Sequence, residues 1–155
     1  MLSGNLRLPH LQAFERRPIV FVTTDTAARH PLIACAEAYE SLVQTWTRSA
    51  KIDGWHVGRF ILMPDHVHLF ARAGLDAKSL AVWMQTWKSL TSRQLCAQLS
   101  IEPPLWQKDY FDRFLRSNEN YREKWWYVLL NPVRKGLCRV PEEWPWQGEL
   151  HKLKF

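Results

Sequence analysis

Two pairs of residues in this chain carry side chains able to do chemistry on a phosphate. The first is His66 and His68, in the run MPDHVHLF. On a β-strand, residues two apart point to the same face, so both imidazoles project together while Val67 and Leu69 point the other way. Two neutral imidazoles on one face can hold a divalent ion and leave positions for a third protein group, water or substrate oxygens. On spacing alone, a ligand pair and two ordinary histidines both fit, and the pattern is not the helical H-E-x-x-H of zinc proteases. The second pair is Tyr127 and Asn131. Four residues apart on a helix, they share one face at about 6 Å. Asn131 offers a carbonyl oxygen to a hard cation, and Tyr127 offers a phenol that can attack phosphorus. A phenol with an ordinary pKa near 10 needs a metal-polarised phosphate to react. A buried tyrosine beside a helix-terminal asparagine explains the same spacing without any site.

The elements that must position these groups are readable from periodicity and punctuation. Residues 19–24 (IVFVTT) form a β-branched apolar run and predict a buried strand. Pro31 opens a stretch with helical periodicity through Leu42 and Trp46. Residues 55–63 and 66–73 predict a hairpin turning at Pro64-Asp65. Helical spacing returns from Leu75 to about Leu99, and Pro103-Pro104 stops it. Residues 106–115 predict a fourth strand. Ser117 is a helix N-cap, and its helix ends or kinks where Asn131 precedes Pro132. The order β-α-β-β-α-β-α predicts an α+β, ferredoxin-like sandwich with a mainly antiparallel four-stranded sheet. Its expected extent is a single domain over 1–155, with a core at about 19–137 and irregular ends at 1–18 and 138–155.

Composition narrows the classes further. With 46% apolar and 23% charged residues, the 155-residue chain is neither disordered nor fibrous. No apolar run reaches the roughly 18 residues of a membrane span, and the first 30 residues lack an apolar signal core, so the expected location is cytoplasmic. The net charge of +6 favours a polyanionic partner. Cys35, Cys96 and Cys138 are too few and too scattered for a disulfide framework or a four-thiolate zinc site. Nine tryptophans either fill the core or, in part, stack on nucleobases.

The segment MPDHVHLF resembles the histidine–hydrophobic–histidine motif of single-tyrosine HUH transposases. Residues 106–116 (WQKDYFDRFLR), Tyr121-Arg122 and 127–137 (YVLLNPVRKGL) are similar to a narrower branch, the REP-associated tyrosine transposases. The resemblance runs from about Ile19 to Trp146, with its blocks in the family order. It implies that His66, His68 and Asn131 hold Mg²⁺ or Mn²⁺, and that Tyr127 is the nucleophile. The implied reaction is cutting and joining of single-stranded DNA at or near hairpins of palindromic repeats, through a 5′-phosphotyrosine. It also implies a nucleoid-associated protein. The wider group dimerises by exchanging tyrosine helices and the REP branch acts as monomers, so monomer and homodimer both stay open.

Among basic residues, Lys108, Arg113, Arg116, Arg134 and Lys135 are expected phosphate partners. Arg59, Arg72, Lys88 and Arg93 are further residues able to line a groove. Two alternatives accompany the transposase reading. One is a domesticated relative that binds DNA hairpins without cutting; the other is a metal-dependent nuclease with no covalent step.

Overall fold

The computed structural model describes residues 17–154. Most of the Pro/Arg-rich first segment therefore lies outside the described residues. Strands β1 (Val20–Asp25), β2 (Trp55–Met63), β3 (His66–Ala73), β4 (Phe111–Phe114) and β5 (Gln147–Glu149) form one sheet. Their order is β4-β1-β3-β2-β5, and every neighbouring pair is antiparallel. The first four strands and the helices between them give the ferredoxin-like arrangement that the sequence predicts. The fifth strand comes from the segment read as an irregular end and extends the four-stranded sheet along β2.

Strand alternation divides the core in two. Val20, Val22, Val67, Leu69 and Ala71 face helices α1 (Ala36–Ile52) and α2 (Leu80–Leu99). Ile19, Phe21 and Phe70 face the other way, against Tyr121 and Val128 of α3 (Asn118–Leu129) and against Trp144 and Leu153. In β2 the register shifts between Val57 and Phe60, so Trp55 and Val57 share the α1/α2 face with Phe60 and Leu62. Gly58 sits in that bulge because a Cβ there would meet Leu153 Cδ1 at 2.6 Å.

The α1/α2 face is filled by tryptophan. Trp55 stacks on Trp83 at 5.0 Å, Trp46 meets Trp87 edge-on at 5.5 Å, and Trp87 meets Trp106 the same way. The indole N–H groups of Trp83 and Trp106 donate to Ser49 Oγ and Thr91 Oγ1, both at 2.9 Å. These rings are core, not nucleobase platforms.

Three boundaries differ from the sequence prediction. The first helix begins at Ala36 rather than at Pro31, because Ile33 is fully buried and its N–H donates to Pro64 O at 3.1 Å. That long-range bond keeps 31–35 extended against the β2–β3 turn. The second helix starts at Leu80, capped by Ser79 Oγ, which accepts from Val82 N. The fourth strand shrinks to four residues. Trp106 makes only an isolated bridge to Thr26, and Lys88 Nζ donates to the carbonyls of Gln107 and Lys108, drawing that stretch toward α2.

Candidate active site

The hairpin turn decides where the two histidines stand. Met63 lies opposite His66, so β3 begins on the first imidazole, and both rings project toward the α3 face. They meet edge to face with centroids 4.7 Å apart. Across the sheet, Thr23 is the register partner of His68, and Asp25 that of His66. Phe21 stacks on the His68 ring at 5.4 Å.

Each imidazole is fixed at its inner nitrogen. His66 Nδ1 is 2.7 Å from Asp65 Oδ1, and His68 Nδ1 is 2.7 Å from Thr23 Oγ1. Asp65 is in turn paired with Arg29 at 3.0 Å. With Nδ1–H donated to these oxygens, each Nε2 presents a lone pair. Burial pushes the Asp65 carboxyl up, but the hydrogen bonds from His66 and Arg29 outweigh it and hold it below the usual carboxylate range. Burial, helped by the nearby cations Lys124 and Arg134 and by the adjoining His66 ring, drives the His68 imidazole down to about 3. His68 is therefore neutral at physiological pH, as a metal ligand must be.

The third group arrives from the far end of α3. Ser117 caps this helix by accepting from Asn120 N at 3.1 Å, as the sequence predicts. Leu130 (φ −81°, ψ −5°) then separates α3 from α4 (Asn131–Arg134), which has Pro132 in its first turn. Gly136 leaves the helix at φ +73°, a left-handed conformation that glycine adopts without a Cβ penalty. At this junction the Asn131 amide lies 3.5 Å from His66 Nε2 and 3.4 Å from His68 Nε2. Turning that amide over puts its oxygen at the same point. Among the described residues there is no cluster of three His, Cys, Asp or Glu able to hold a metal. A cation at this point would therefore rest on two imidazoles and one amide.

Tyr127 stands on α3, about one turn before the break, and apart from the imidazoles. Its ring is 62% exposed, lies 4.0 Å from the Arg134 guanidinium, and its hydroxyl has no hydrogen bond among the described residues. It lines a cleft of about 610 Å³ with Arg113, Arg116, Asn120 and Lys124. So the structure joins His66, His68 and Asn131, and it groups Tyr127 with Arg113, Arg116 and Arg134. Lys135 is exposed at the end of α4, and Lys108 lies in a different cleft beside α2. Of the further basic residues, Arg72 is buried and donates to Arg17 O, Lys88 is buried against backbone carbonyls, and Arg59 pairs with Glu149 over Trp125. Arg72 serves the fold, while Lys88 and Arg59 make these contacts and also line surface clefts, Lys88 the one that holds Lys108 and Arg93.

Sequence reasoning missed Asp65, Thr23 and Lys124. Asp65 was visible as the carboxylate directly before the first histidine. Thr23 becomes meaningful only once β1 is paired with β3. Lys124 Nζ sits 5.0 Å from the Phe21 ring, and Phe21 stacks on His68, so it links the tyrosine cleft to the imidazoles.

An antiparallel ferredoxin-like sheet presenting a strand-borne H-x-H pair to a helix-borne amide is the frame of the HUH transposase class. Residues 19–123 match the family model described as "Transposase IS200 like", and the chain belongs to that family. The matched stretch includes both histidines and ends before Tyr127. Over 96 residues, 56% of its length, the chain is 26% identical to a provisionally named REP-associated tyrosine transposase of Haemophilus influenzae. Over 92 residues, 59% of its length, it is 23% identical to the REP-associated tyrosine transposase of Escherichia coli K12. It spans about half the length of these relatives, 54% and 52%. In fold it is similar to a REP-associated tyrosine transposase solved bound to a REP hairpin, with a TM-score of 0.65 at 18% identity over 84% of this chain and 75% of that one. A provisionally assigned transposase of Deinococcus radiodurans R1 gives a TM-score of 0.54 at 18% identity, covering 72% of this chain and 88% of that one.

Proposed function

We propose that this chain cuts and rejoins single-stranded DNA at hairpins, with Tyr127 as nucleophile and Mg²⁺ or Mn²⁺ held by His66, His68 and Asn131. The observation that carries this reading is the convergence of two lone-pair nitrogens and one amide within 3.5 Å, in a member of the IS200-like family. The donor set is mixed nitrogen and oxygen, with inner nitrogens tied off by Asp65 and Thr23, which suits a divalent ion that keeps positions for phosphate oxygens. When bound, such an ion polarises the scissile phosphate and balances the charge that develops on its oxygens.

The chain's own groups do the rest. Tyr127 Oη forms a bond to phosphorus as the bond from phosphorus to the 3′ oxygen breaks. The phenol proton leaves to solvent, the 3′ oxygen takes one up, and the 5′ phosphate stays on Tyr127. A second 3′-hydroxyl reverses the step and joins strands without ATP, since the phenol is a reasonable leaving group. Arg113, Arg116 and Lys124, around Tyr127, would take the flanking phosphates, and Arg134 and Lys135 those beyond α4. The names of the two curated relatives, and the hairpin bound to one fold relative, support DNA hairpins as the substrate class.

A denaturing gel of labelled hairpin DNA incubated with protein and Mn²⁺ tests the proposal. Label retained on the wild-type protein and absent from Tyr127→Phe is the expected result. Free cleaved product without an adduct would point to a water nucleophile, and tight binding with no cutting would point to a hairpin-binding protein.

A further inference from the structure

The far end of the sheet repeats the pairing of two imidazoles. His56 lies in β2 opposite Arg72, about 20 Å along the strand from Met63, which lies opposite His66. Its ring meets that of His151 edge to face, with centroids 5.0 Å apart and planes at 74°. For His66 and His68 the same quantities are 4.7 Å and 79°.

Both spacings suit a shared ion. A metal–nitrogen bond of about 2.0–2.1 Å puts each ring centroid about 3.2 Å from the ion. Two such rings, at an angle between about 90° and 110°, then stand about 4.5–5.2 Å apart.

The segment that carries His151 is fixed over the β2 bulge. Leu150 N donates to Gly58 O at 3.1 Å, and His151 N donates to Val57 O at 3.0 Å. Leu153, buried, fills the space that a Cβ on Gly58 would take. His151 Nε2 is buried and has no hydrogen-bond partner among the described residues. A buried ring nitrogen in that state carries a desolvation cost that a bound ion removes. Burial and the adjoining His151 ring lower the His56 imidazole, outweighing a hydrogen bond to the Arg72 backbone, and burial lowers His151. Each therefore leans to the neutral form that a metal ligand requires.

Among the described residues no third His, Cys, Asp or Glu joins the pair. Glu149, two residues before His151, is taken by Arg59 at 3.4 Å. The side-chain donors are thus imidazole nitrogens alone, without the amide oxygen that Asn131 offers at the first pair. Such a set selects Zn²⁺, Cu²⁺ or Ni²⁺ over Mg²⁺ and Mn²⁺.

We propose that His56 and His151 form a second metal site, which takes a nitrogen-preferring divalent ion such as Zn²⁺ and pins residues 150–154 to β2. Water completes the coordination. The site stands whether or not the chain cuts DNA.

Calorimetric titration of the full chain with Zn²⁺ in excess Mg²⁺ tests it, in a His66→Asn/His68→Asn background that removes the first pair. One ion per chain should bind, and adding His151→Gln should weaken it about tenfold or more. Zn²⁺ should also raise the melting temperature of the background protein by several degrees and leave that of the His151→Gln variant unmoved. Cu²⁺ gives a readout that needs no change at the pair itself: its EPR spectrum in the same background should carry superhyperfine coupling to two imidazole nitrogens. No stoichiometric Zn²⁺ binding, binding that survives His151→Gln, or coupling to a single nitrogen overturns the second site. Adduct formation at Tyr127 is read separately, in protein with His66 and His68 intact, and stands or falls on its own.

Discussion

The sheet has two unlike faces, and the contrast separates what holds this protein together from what makes it reactive. Against α1 and α2 lies a dry core of stacked tryptophans and aliphatic side chains, whose indole N–H groups mostly find oxygen partners within it. Against α3 the same strands carry Phe21 and Phe70, but also His66, His68 and Thr23, with Lys124 close above. One face gains from complete burial. The other leaves two imidazole nitrogens aimed at an amide, an arrangement that packing alone would not select. The lesson is a division by strand parity at the start of β3, where Val67 and Leu69 pack into the core while His66 and His68 stand on the reactive face.

Substitutions can break this contrast or sharpen it. The largest effect is expected from Trp87→Ala, which opens a cavity among Trp46, Trp83 and Trp106. It should cost about 3–5 kcal/mol and lower the melting temperature by about 10 °C in denaturation experiments. Next comes acid. His68 stays neutral in the folded protein down to about pH 3, whereas an unfolded histidine takes its proton near pH 6.5. The unfolded state then binds more protons between these values, so stability should fall by a few kcal/mol as pH drops from about 6.5 toward 3. That slope, read from urea titrations of metal-free protein, should flatten in His68→Asn.

Asp65→Ala should act on the reactive face alone. By releasing His66 Nδ1 it should weaken Mn²⁺ binding about 10–100-fold in calorimetric titrations, while moving stability far less than Trp87→Ala does. An equal loss of stability would erase the division between the faces. The smallest effect belongs to Trp126, 61% exposed beside half-buried Trp125; its change to Ala should alter stability by less than about 0.5 kcal/mol.

Several features were legible before any coordinates because their causes are local. Pro64-Asp65 set the hairpin, so the strand ends at Met63 and His66 were readable. Ser117 announced its helix, and Pro132 announced the break at its end. Others failed for a common reason. The start of α1 hangs on a bond to Pro64, the truncation of β4 on Lys88, and β5 on a partner strand about 90 residues away in sequence, as Arg59 opposite Glu149 shows. No periodicity within a segment records such partners.

The amino-acid order by itself determined that two imidazoles share a strand face and that Tyr127 and Asn131 stand about one helical turn apart, because a pleat repeats every two residues and a helical turn every 3.6. Only the tertiary structure decided that Asn131 meets both imidazoles while Tyr127 turns to Arg134 and an open cleft. That choice depends on how α3 lies on the sheet, which Tyr121 and Val128 fix by packing with Phe70 and its neighbours, so that the local break before Pro132 falls beside the imidazoles.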